Sequence, residues 1–193
     1  MTAFTSYLDS SIAVLEAARH AIGEATVERA VAATTAALAA DKPLLICGNG
    51  GSATDAMHIA GELVGRFLAE RRALKAIALS ADSAILTAWA NDYSYDEVFA
   101  RQVDAYGEPG GVLLAISTSG NSANVLAAAK AAKAKRMTVI ALTGEGGGKL
   151  GPLADILLAV PSRATPFIQQ VHICIYHYLC GEIEQRIAGA GPR

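Results

Sequence analysis

The stretch Leu44–Glu62 constrains the fold of this chain more than any other segment. It begins with four apolar residues, continues with the turn Gly48-Asn49-Gly50-Gly51-Ser52, and runs into a helical pattern that carries His58 and Glu62. Glycines admit backbone conformations that other residues avoid, and they let a ligand approach the main chain closely. A helix that begins directly after such a turn points unpaired N–H groups and the positive end of its dipole at the same place. The stretch therefore predicts a buried strand, an anion-binding turn suited to phosphate, and a helix.

Short apolar segments alternate with helical ones along the rest of the chain. This alternation is typical of a parallel sheet whose two faces are covered by helices. We predict an α/β fold with a five-stranded parallel sheet, preceded by N-terminal helices over residues 1–40. The predicted strands are Pro43–Cys47, Lys75–Leu79, Val112–Ile116, Thr138–Leu142 and Ile156–Val160, and a last helix runs from Thr165 to about Ile187.

A polar or glycine-rich segment follows each predicted strand. Because the carboxyl ends of parallel strands lie at one edge of the sheet, where such proteins bind ligands, these segments should gather there. The five segments are Gly48–Ser52, Ser80–Ser83, Ser117–Ser122, Thr143–Lys149 and Pro161–Thr165. The sequence thus predicts a binding site at this edge.

The length and composition fit a single domain. The chain has 193 residues, and we predict one domain over residues 1–193 with a frayed tail at 188–193. Although 52% of its residues are hydrophobic, no apolar run approaches the roughly 20 residues that span a bilayer. The first residues lack the pattern of a signal peptide. A net charge of −2 gives no electrostatic reason to expect nucleic acid as a partner.

Cys47, Cys174 and Cys180 are an odd number of cysteines without the C-x-x-C spacing of redox or metal motifs. We predict buried free thiols, which fit a reducing compartment. Together with the missing signal peptide and membrane span, they favour a cytoplasmic protein.

The glycine turn has three interpretations. Residues 48–53 match the G-x-G-x-x-A dinucleotide pattern, but no acidic residue stands at the expected place near the end of the next strand. No Gly-Lys-Ser/Thr follows, so a nucleotide-binding P-loop is excluded. A small phosphorylated ligand is favoured over a dinucleotide and over an empty structural turn.

A second loop strengthens the phosphate hypothesis. Ser117-Thr118-Ser119-Gly120-Asn121-Ser122 follows the third strand and precedes the helix predicted at Ala123–Ala134. A helix N-cap needs one hydroxyl, whereas this loop offers four beside a helix N-terminus. Because the loop contains no lysine, neutral donors would do most of the binding.

His58 and Glu62 lie four residues apart, on one face of a helix. They are either a surface pair or a site that binds zinc or exchanges protons. In the last helix, Gln169 and His177 are about 12 Å apart along the axis. They can share one ion only if both side chains converge or if they come from different subunits. His172 competes with His177, and spacing alone does not decide between them.

Two further positions have a structural and a functional interpretation. Asn91-Asp92-Tyr93 follows the helix predicted at Ala84–Ala90 and is either a helix end or a hydrogen-bonding group for sugar hydroxyls. Arg66 lies one turn beyond Glu62 and either contacts a phosphate or is solvated.

Taken together, these motifs resemble the sugar isomerase (SIS) family and, within it, the phosphoheptose isomerases. The resemblance covers nearly the whole chain. It rests on the glycine turn, Asp55-Ala56-Met57-His58, Glu62, Asn91-Asp92, the serine loop and Ile168-Gln169. It implies an aldose–ketose isomerase that converts sedoheptulose 7-phosphate to D-glycero-D-manno-heptose 7-phosphate, in the first step of bacterial heptose biosynthesis. It also implies a homotetramer with active sites at subunit interfaces.

The resemblance also assigns site residues. It implies one zinc ion per subunit, held by His58, Glu62, Gln169 and His177, and so selects His177 over His172. The residues matching Asn49, Gly50, Gly51, Asn91, Asp92, Ser117, Thr118, Ser119 and Ser122 would contact the substrate, and we add Ser52, Glu62, Arg66 and Gln169 to that set. Two positions depart from the family pattern, where Gln170 replaces an acidic residue and Phe167 a basic one.

The expected chemistry moves a proton between C1 and C2 of the sugar through an enediol. We assign Glu62 as the base for the carbon proton and His177 as the group that transfers protons at oxygen. A zinc ion would polarise the carbonyl. The alternatives are a non-enzymatic SIS protein that binds a replication initiator or senses a sugar phosphate, a dinucleotide enzyme, and an isomerase for another phosphosugar. The residues do not fix the length of the sugar.

Overall fold

The computed structural model describes residues 3–189, and within this range the chain forms seven α-helices and five β-strands. In chain order these are α1 (Phe4–Ala21), α2 (Glu24–Ala39), β1 (Leu44–Cys47), α3 (Gly51–Val64), β2 (Ala76–Ala78), α4 (Ser83–Asp92), α5 (Val98–Tyr106), β3 (Val112–Ser117), α6 (Ala123–Ala134), β4 (Thr138–Thr143), β5 (Ile156–Ala159) and α7 (Thr165–Gly189). Each predicted strand is present, with ends within one or two residues of the prediction. Helix α7 continues to Gly189, and the rest of the predicted tail at 188–193 lies outside the described residues.

The strands form one parallel sheet in the order β2-β1-β3-β4-β5, which confirms the predicted α/β architecture. From β1 the chain passes to β2 on one side, and it later returns to place β3 on the other side. The helices that follow β1 and β3 therefore leave the sheet toward opposite faces. Such a reversal of strand order opens a crevice at the carboxyl ends of β1 and β3.

Alternate strand residues feed two apolar layers. Leu44, Ile46 and Leu114 belong to the layer shared with α2, α3 and α7. Leu45 and Leu113, one residue along, belong to the layer shared with α5 and α6. Because both faces are covered, β1 and β3 are buried along their whole length, which explains their unbroken apolar sequence.

The two N-terminal helices differ in their packing. Helix α2 packs on the sheet through the buried residues Val31 and Leu38. Helix α1 packs on α7 instead, and it exposes the apolar residues Phe4, Leu8 and Ile12. These residues lie at helical spacing on one face of α1, which has no apolar cover within residues 3–189.

Some expectations need correction. Cys47 and Cys180 are buried free thiols as predicted, but Cys174 is exposed, because it lies on the face of α7 that borders a cleft. Asn91 and Asp92 are the last residues of α4 rather than a segment after it. In the part of the chain that is described, no helix is both long and apolar enough to cross a membrane.

Candidate active site

The glycine turn and the serine loop meet at the crevice between β1 and β3. Asn49 in the turn and Asn124 in the first turn of α6 exchange two amide hydrogen bonds of 2.8 and 2.9 Å. Tyr95 donates a further bond of 3.1 Å to Asn49 Oδ1. The side chain of Asn49 therefore joins the two loops. Asn124 and Tyr95 were not predicted, and only the position of Asn124 in the first turn after the serine loop could have indicated a role.

Hydrogen bonds also connect the other segments at this edge, as the sequence predicted. The Ser80 hydroxyl donates to the carbonyl of Ala53, which links the segment after β2 to the start of α3. The N–H of Gly144 donates to the carbonyl of Thr118, and the N–H of Glu145 to that of Ser162. All five segments that follow the strands are thus connected along one edge of the sheet.

Two glycines in the turn differ in what a side chain would meet there. Gly50 has φ +55° and ψ −123°, a conformation that residues with a Cβ rarely adopt. Gly51 begins α3 beneath the side chain of Gln169, and a Cβ on Gly51 would lie 2.4 Å from Gln169 Nε2. The turn therefore contacts the first part of α7, and Gln169 belongs to the edge where phosphate is expected.

The hydroxyl group at the end of the serine loop does not cap helix α6. Ser122 is the N-cap residue of α6, yet its side chain makes no capping hydrogen bond. Its Oγ instead lies 3.0 Å from Ser117 Oγ. The loop is shaped by other contacts, since Asn121 Oδ1 accepts from the N–H of Lys149. This arrangement favours a ligand-binding role over a simple capping role.

His58, Glu62 and His177 come together where α3 and α7 lie side by side. His58 Nε2 lies 3.0 Å from Glu62 Oε1. The ring centroids of His58 and His177 are 5.1 Å apart with nearly perpendicular planes. The ring of Phe67 stacks on the other side of His177 at 5.8 Å. This group holds a carboxylate and two imidazoles, the functional groups that proton transfer requires.

A buried pair that the sequence did not indicate lies behind His58. Tyr176 Oη is 3.1 Å from His58 Nδ1 and 3.4 Å from Asp55 Oδ1. Burial raises the pKa of Tyr176 above its ordinary value, and the nearby Asp55 carboxylate raises it further. Burial also raises the pKa of Asp55, although its hydrogen bond with Tyr176 and the proximity of His58 oppose that shift. Asp55 belongs to the motif that carried the resemblance, so its position offered a signal.

The two histidines of α7 lie in different surroundings. His172 is fully buried, and its Nε2–H donates to the carbonyl of Thr143 at 3.1 Å. Burial lowers the pKa of His172 to about 4, which the hydrogen bond to Thr143 only partly opposes. His172 is therefore a neutral core residue, while His177 lies beside His58 and Glu62.

A second unpredicted group of contacts lies at the C-terminal end of α3. Glu184 on α7 accepts hydrogen bonds from the backbone N–H groups of Phe67, Leu68 and Ala69 at 2.8, 2.6 and 2.7 Å. Arg71 lies 3.3 Å from the same carboxylate and donates to the carbonyl of Glu62 at 2.7 Å. Glu184 thus holds the loop that places Phe67 on His177.

Other predicted site residues lie farther from these groups. Arg66 follows the end of α3 opposite the glycine turn, is 61% exposed, and pairs with the exposed Glu70 at 3.4 Å. Asn91 donates to the neighbouring Asp92 at 2.9 Å. Both are exposed at the end of α4, a few residues before Tyr95.

The two departures from the family pattern share one neighbour. The ring of Phe167 lies 5.2 Å from that of Tyr7, and Gln170 Nε2 donates to Tyr7 Oη at 3.3 Å. Both side chains therefore contact α1 through Tyr7.

The expected zinc ion stays a prediction. Among residues 3–189 no group of three or more His, Cys, Asp or Glu side chains is placed to hold a metal ion. The imidazoles nevertheless have a suitable separation, since two histidines on one tetrahedral zinc, with Zn–N about 2.0–2.1 Å, have ring centroids about 5 Å apart. Gln169 contacts Gly51. Gly51 lies about 10 Å from His58 along the axis of α3, so Gln169 is distant from His58 in the same chain. The residues of one chain that would hold the ion are His58, Glu62 and His177, which lie close together without forming a complete metal site, and Gln169 would have to come from another subunit.

Comparison with known proteins relates this site to sugar-phosphate enzymes. Residues 6–144 match the family model described as the SIS domain. Over 161 residues the chain is 52% identical to a phosphoheptose isomerase of Rhodospirillum rubrum, which covers 83% of this chain and 86% of that protein. A phosphoheptose isomerase from Francisella tularensis has a similar structure, with a TM-score of 0.90, 40% identity, and coverage of 94% and 96%. One from Neisseria gonorrhoeae has a TM-score of 0.87, 43% identity, and coverage of 93% and 96%.

Proposed function

Because this chain belongs to the SIS-domain family and, within it, to the phosphoheptose isomerases, we propose that it converts sedoheptulose 7-phosphate to D-glycero-D-manno-heptose 7-phosphate. It is an aldose–ketose isomerase of heptose biosynthesis, and its product is a precursor for lipopolysaccharide core or another glycoconjugate. The likeness to isomerases at about half identity favours this activity over a non-enzymatic SIS protein.

The observation that carries the substrate assignment is the 52% identity to a phosphoheptose isomerase, and the helical rise between the two halves of the site agrees with it. From Gly51 to His58 the α3 helix rises about 10 Å. A phosphate bound at the glycine turn must therefore belong to a ligand that reaches about this far. An extended chain advances about 1.2 Å per bond, so C1 of a heptose 7-phosphate lies about 10 Å from phosphorus. A pentose 5-phosphate reaches only about 7 Å.

The phosphate end is bound by neutral donors. We assign the phosphate to the N–H groups at the start of α3 and to the hydroxyls of Ser52, Ser117, Ser119 and Ser122, which follow β1 and β3, and the helix dipole favours an anion there. Binding energy at this end holds the sugar so that its C1 and C2 lie near His58. The loops therefore position the substrate without taking part in the proton transfers.

At the reacting end Glu62 removes the proton from carbon, and it returns that proton to the neighbouring carbon from the same side. His177 transfers the proton between the two sugar oxygens, so that an enediol forms and collapses to the isomeric sugar. Phe67 covers one face of the His177 ring and limits its movement. A zinc ion held by His58, His177 and, for part of the cycle, Glu62 would polarise the sugar carbonyl, and Glu62 acts as the base when it is not bound to the ion.

We also propose that the protein is a homotetramer with sites at subunit interfaces. The exposed apolar face of α1 supports this, with Phe4, Leu8 and Ile12 at 74%, 42% and 59% exposure. A cleft of about 680 Å³ lies between α1, α2 and α7 beside this face. A second copy would cover both and could supply the fourth metal ligand, Gln169. We place the protein in the cytoplasm, which its three free cysteines favour.

The test measures turnover of C5, C6 and C7 ketose phosphates, with and without added zinc, and the mass of the assembly by light scattering. We expect the C7 substrate to be preferred, and Glu62→Gln to lower kcat by at least about 100-fold. Glu182→Gln, which changes a carboxylate on the outer part of α7, should keep wild-type activity. No turnover of sedoheptulose 7-phosphate, or an unaffected Glu62→Gln variant, would refute the proposal.

A further inference from the structure

Tyr176 connects α7 to α3 through its hydroxyl group. Its side chain is buried, with 2% of the residue exposed. The hydroxyl lies between two groups on α3, 3.1 Å from His58 Nδ1 and 3.4 Å from Asp55 Oδ1. Asp55 and His58 are three residues apart and therefore neighbours on one face of the helix. A single oxygen atom thus contacts both side chains.

The hydrogen bond from Tyr176 to Asp55 sets the direction of the other hydrogen bond at this hydroxyl. A tyrosine hydroxyl has one proton, while a carboxylate accepts only. When the hydroxyl proton points to Asp55, the oxygen can only accept from His58, so His58 carries a proton on Nδ1. A neutral imidazole of this form presents its lone pair at Nε2.

That lone pair faces Glu62 at 3.0 Å. With Nδ1 protonated, Nε2 and the Glu62 carboxylate are both acceptors, and a cation bound there would contact both. The pair Asp55–Tyr176 thus turns His58 so that Nε2 and Glu62 together form a cation site at the reacting end. Because 45% of the His58 side chain is exposed, packing alone does not fix the ring.

We propose that Asp55 and Tyr176 are positioning residues that fix the ring orientation and the Nδ1–H form of His58, and so prepare Nε2 and Glu62 for a cation. The proposal deepens the proposed function and rests on it for the identity of the reaction. The pair touches neither sugar nor metal directly. It acts in the way that hydrogen-bonded groups behind metal-binding histidines generally do, by setting the ligand's orientation.

The test compares wild-type protein with Tyr176→Phe, Asp55→Asn and the double variant. Tyr176→Phe removes one oxygen and keeps the ring, so the core packing is retained. The control is Tyr106→Phe, which removes a hydroxyl from a residue that is 39% exposed at the end of α5. Thermal unfolding confirms that each variant is folded. Zinc affinity is measured by competition with a chromophoric chelator, and kcat and KM are measured separately.

We expect Tyr176→Phe to weaken zinc binding about tenfold or more, and to lower kcat while KM for the sugar phosphate stays near the wild-type value. Asp55→Asn should also weaken zinc binding, but it should add nothing in the Tyr176→Phe background, because both changes break the same hydrogen-bonded chain. Zinc affinity within twofold of wild type in Tyr176→Phe, or additive losses in the double variant, would overturn the proposal.

A second readout does not depend on zinc or on activity. The chain has four histidines, so the imidazole ¹⁵N signals of metal-free protein can be assigned by NMR. We expect the His58 signals to shift in Tyr176→Phe and to stay unchanged in Tyr106→Phe. Unchanged His58 signals in Tyr176→Phe would also overturn the proposal. Wild-type protein that neither binds zinc nor isomerises the sugar would refute the proposed function, while the NMR comparison still tests the role of Tyr176.

Discussion

Glu184 offers the sharpest test of how the two helices of the site are held together. Glu184 is 1% exposed, and its carboxylate accepts from three backbone N–H groups of the loop after α3. Arg71 lies 3.3 Å away, and both side chains of this pair are 2% exposed. Burial opposes ionisation of Glu184, but the three N–H groups and Arg71 outweigh it and hold its pKa below the ordinary value. Substituting Glu184 by Gln therefore leaves Arg71 buried without a counter-charge.

The expected cost of Glu184→Gln follows from this burial. Breaking a buried ion pair by removing one partner costs about 3–5 kcal/mol, and the amide can still accept some of the three backbone bonds. We therefore expect a loss of about 3 kcal/mol in the free energy of unfolding, toward the lower end of that range.

Glu182→Gln is the matched control for this change. Glu182 lies on the same helix, is 29% exposed, and pairs with Arg186 at 3.3 Å, so its loss should cost less than about 1 kcal/mol. Unfolding in urea with a shared slope gives both values.

The functional consequence should follow the structural one. The loop held by Glu184 places Phe67 on the His177 ring, and Arg71 donates to the carbonyl of Glu62. We expect Glu184→Gln to lower kcat as well as stability, even under conditions where the variant is fully folded. Equal stability of Glu184→Gln and Glu182→Gln would refute the reasoning. It would mean that the buried carboxylate of Glu184 stabilises the fold no more than the exposed carboxylate of Glu182.

Two further predictions concern the glycine turn and the core histidine. Gly51→Ala places a Cβ 2.4 Å from the flexible end of Gln169, so stability should change by less than about 1 kcal/mol while sugar-phosphate affinity falls. Gly61→Ala, which meets no atom within 4 Å, should instead stabilise α3 by about 0.5–1 kcal/mol and keep activity. His172 has a folded pKa lowered from 6.5 to about 4. The neutral His172 side chain contributes fully to the free energy of unfolding above pH 6.5. This contribution is lost as the pH falls toward 4, because the imidazole of the unfolded chain then binds a proton. Protonation of His172 should therefore lower the free energy of unfolding by about 3 kcal/mol at acid pH. In urea unfolding between pH 7 and 4, a His172→Gln variant with the full wild-type pH dependence would contradict this assignment.

The amino-acid sequence by itself determined the fold class and the edge of the sheet where the site lies. The reason is local, since short apolar runs such as Leu44–Cys47 that are bounded by turn residues indicate buried strands, and polar segments that follow parallel strands meet at one edge. The glycine turn and the serine loop were predicted from local sequence in the same way. Each needs only its own residues to be recognised.

Tertiary structure decided the contacts between elements that are distant in the chain. His172 and His177 both lie on one helix, and only the packing of α7 against the sheet buries the first and leaves the second beside His58. The roles of Tyr176 and Glu184 could not be predicted from the sequence for the same reason, since each contacts residues more than 100 positions earlier in the chain. A pattern of neighbours along the chain contains no information about which helix faces lie together, and at this edge that decides which side chains meet.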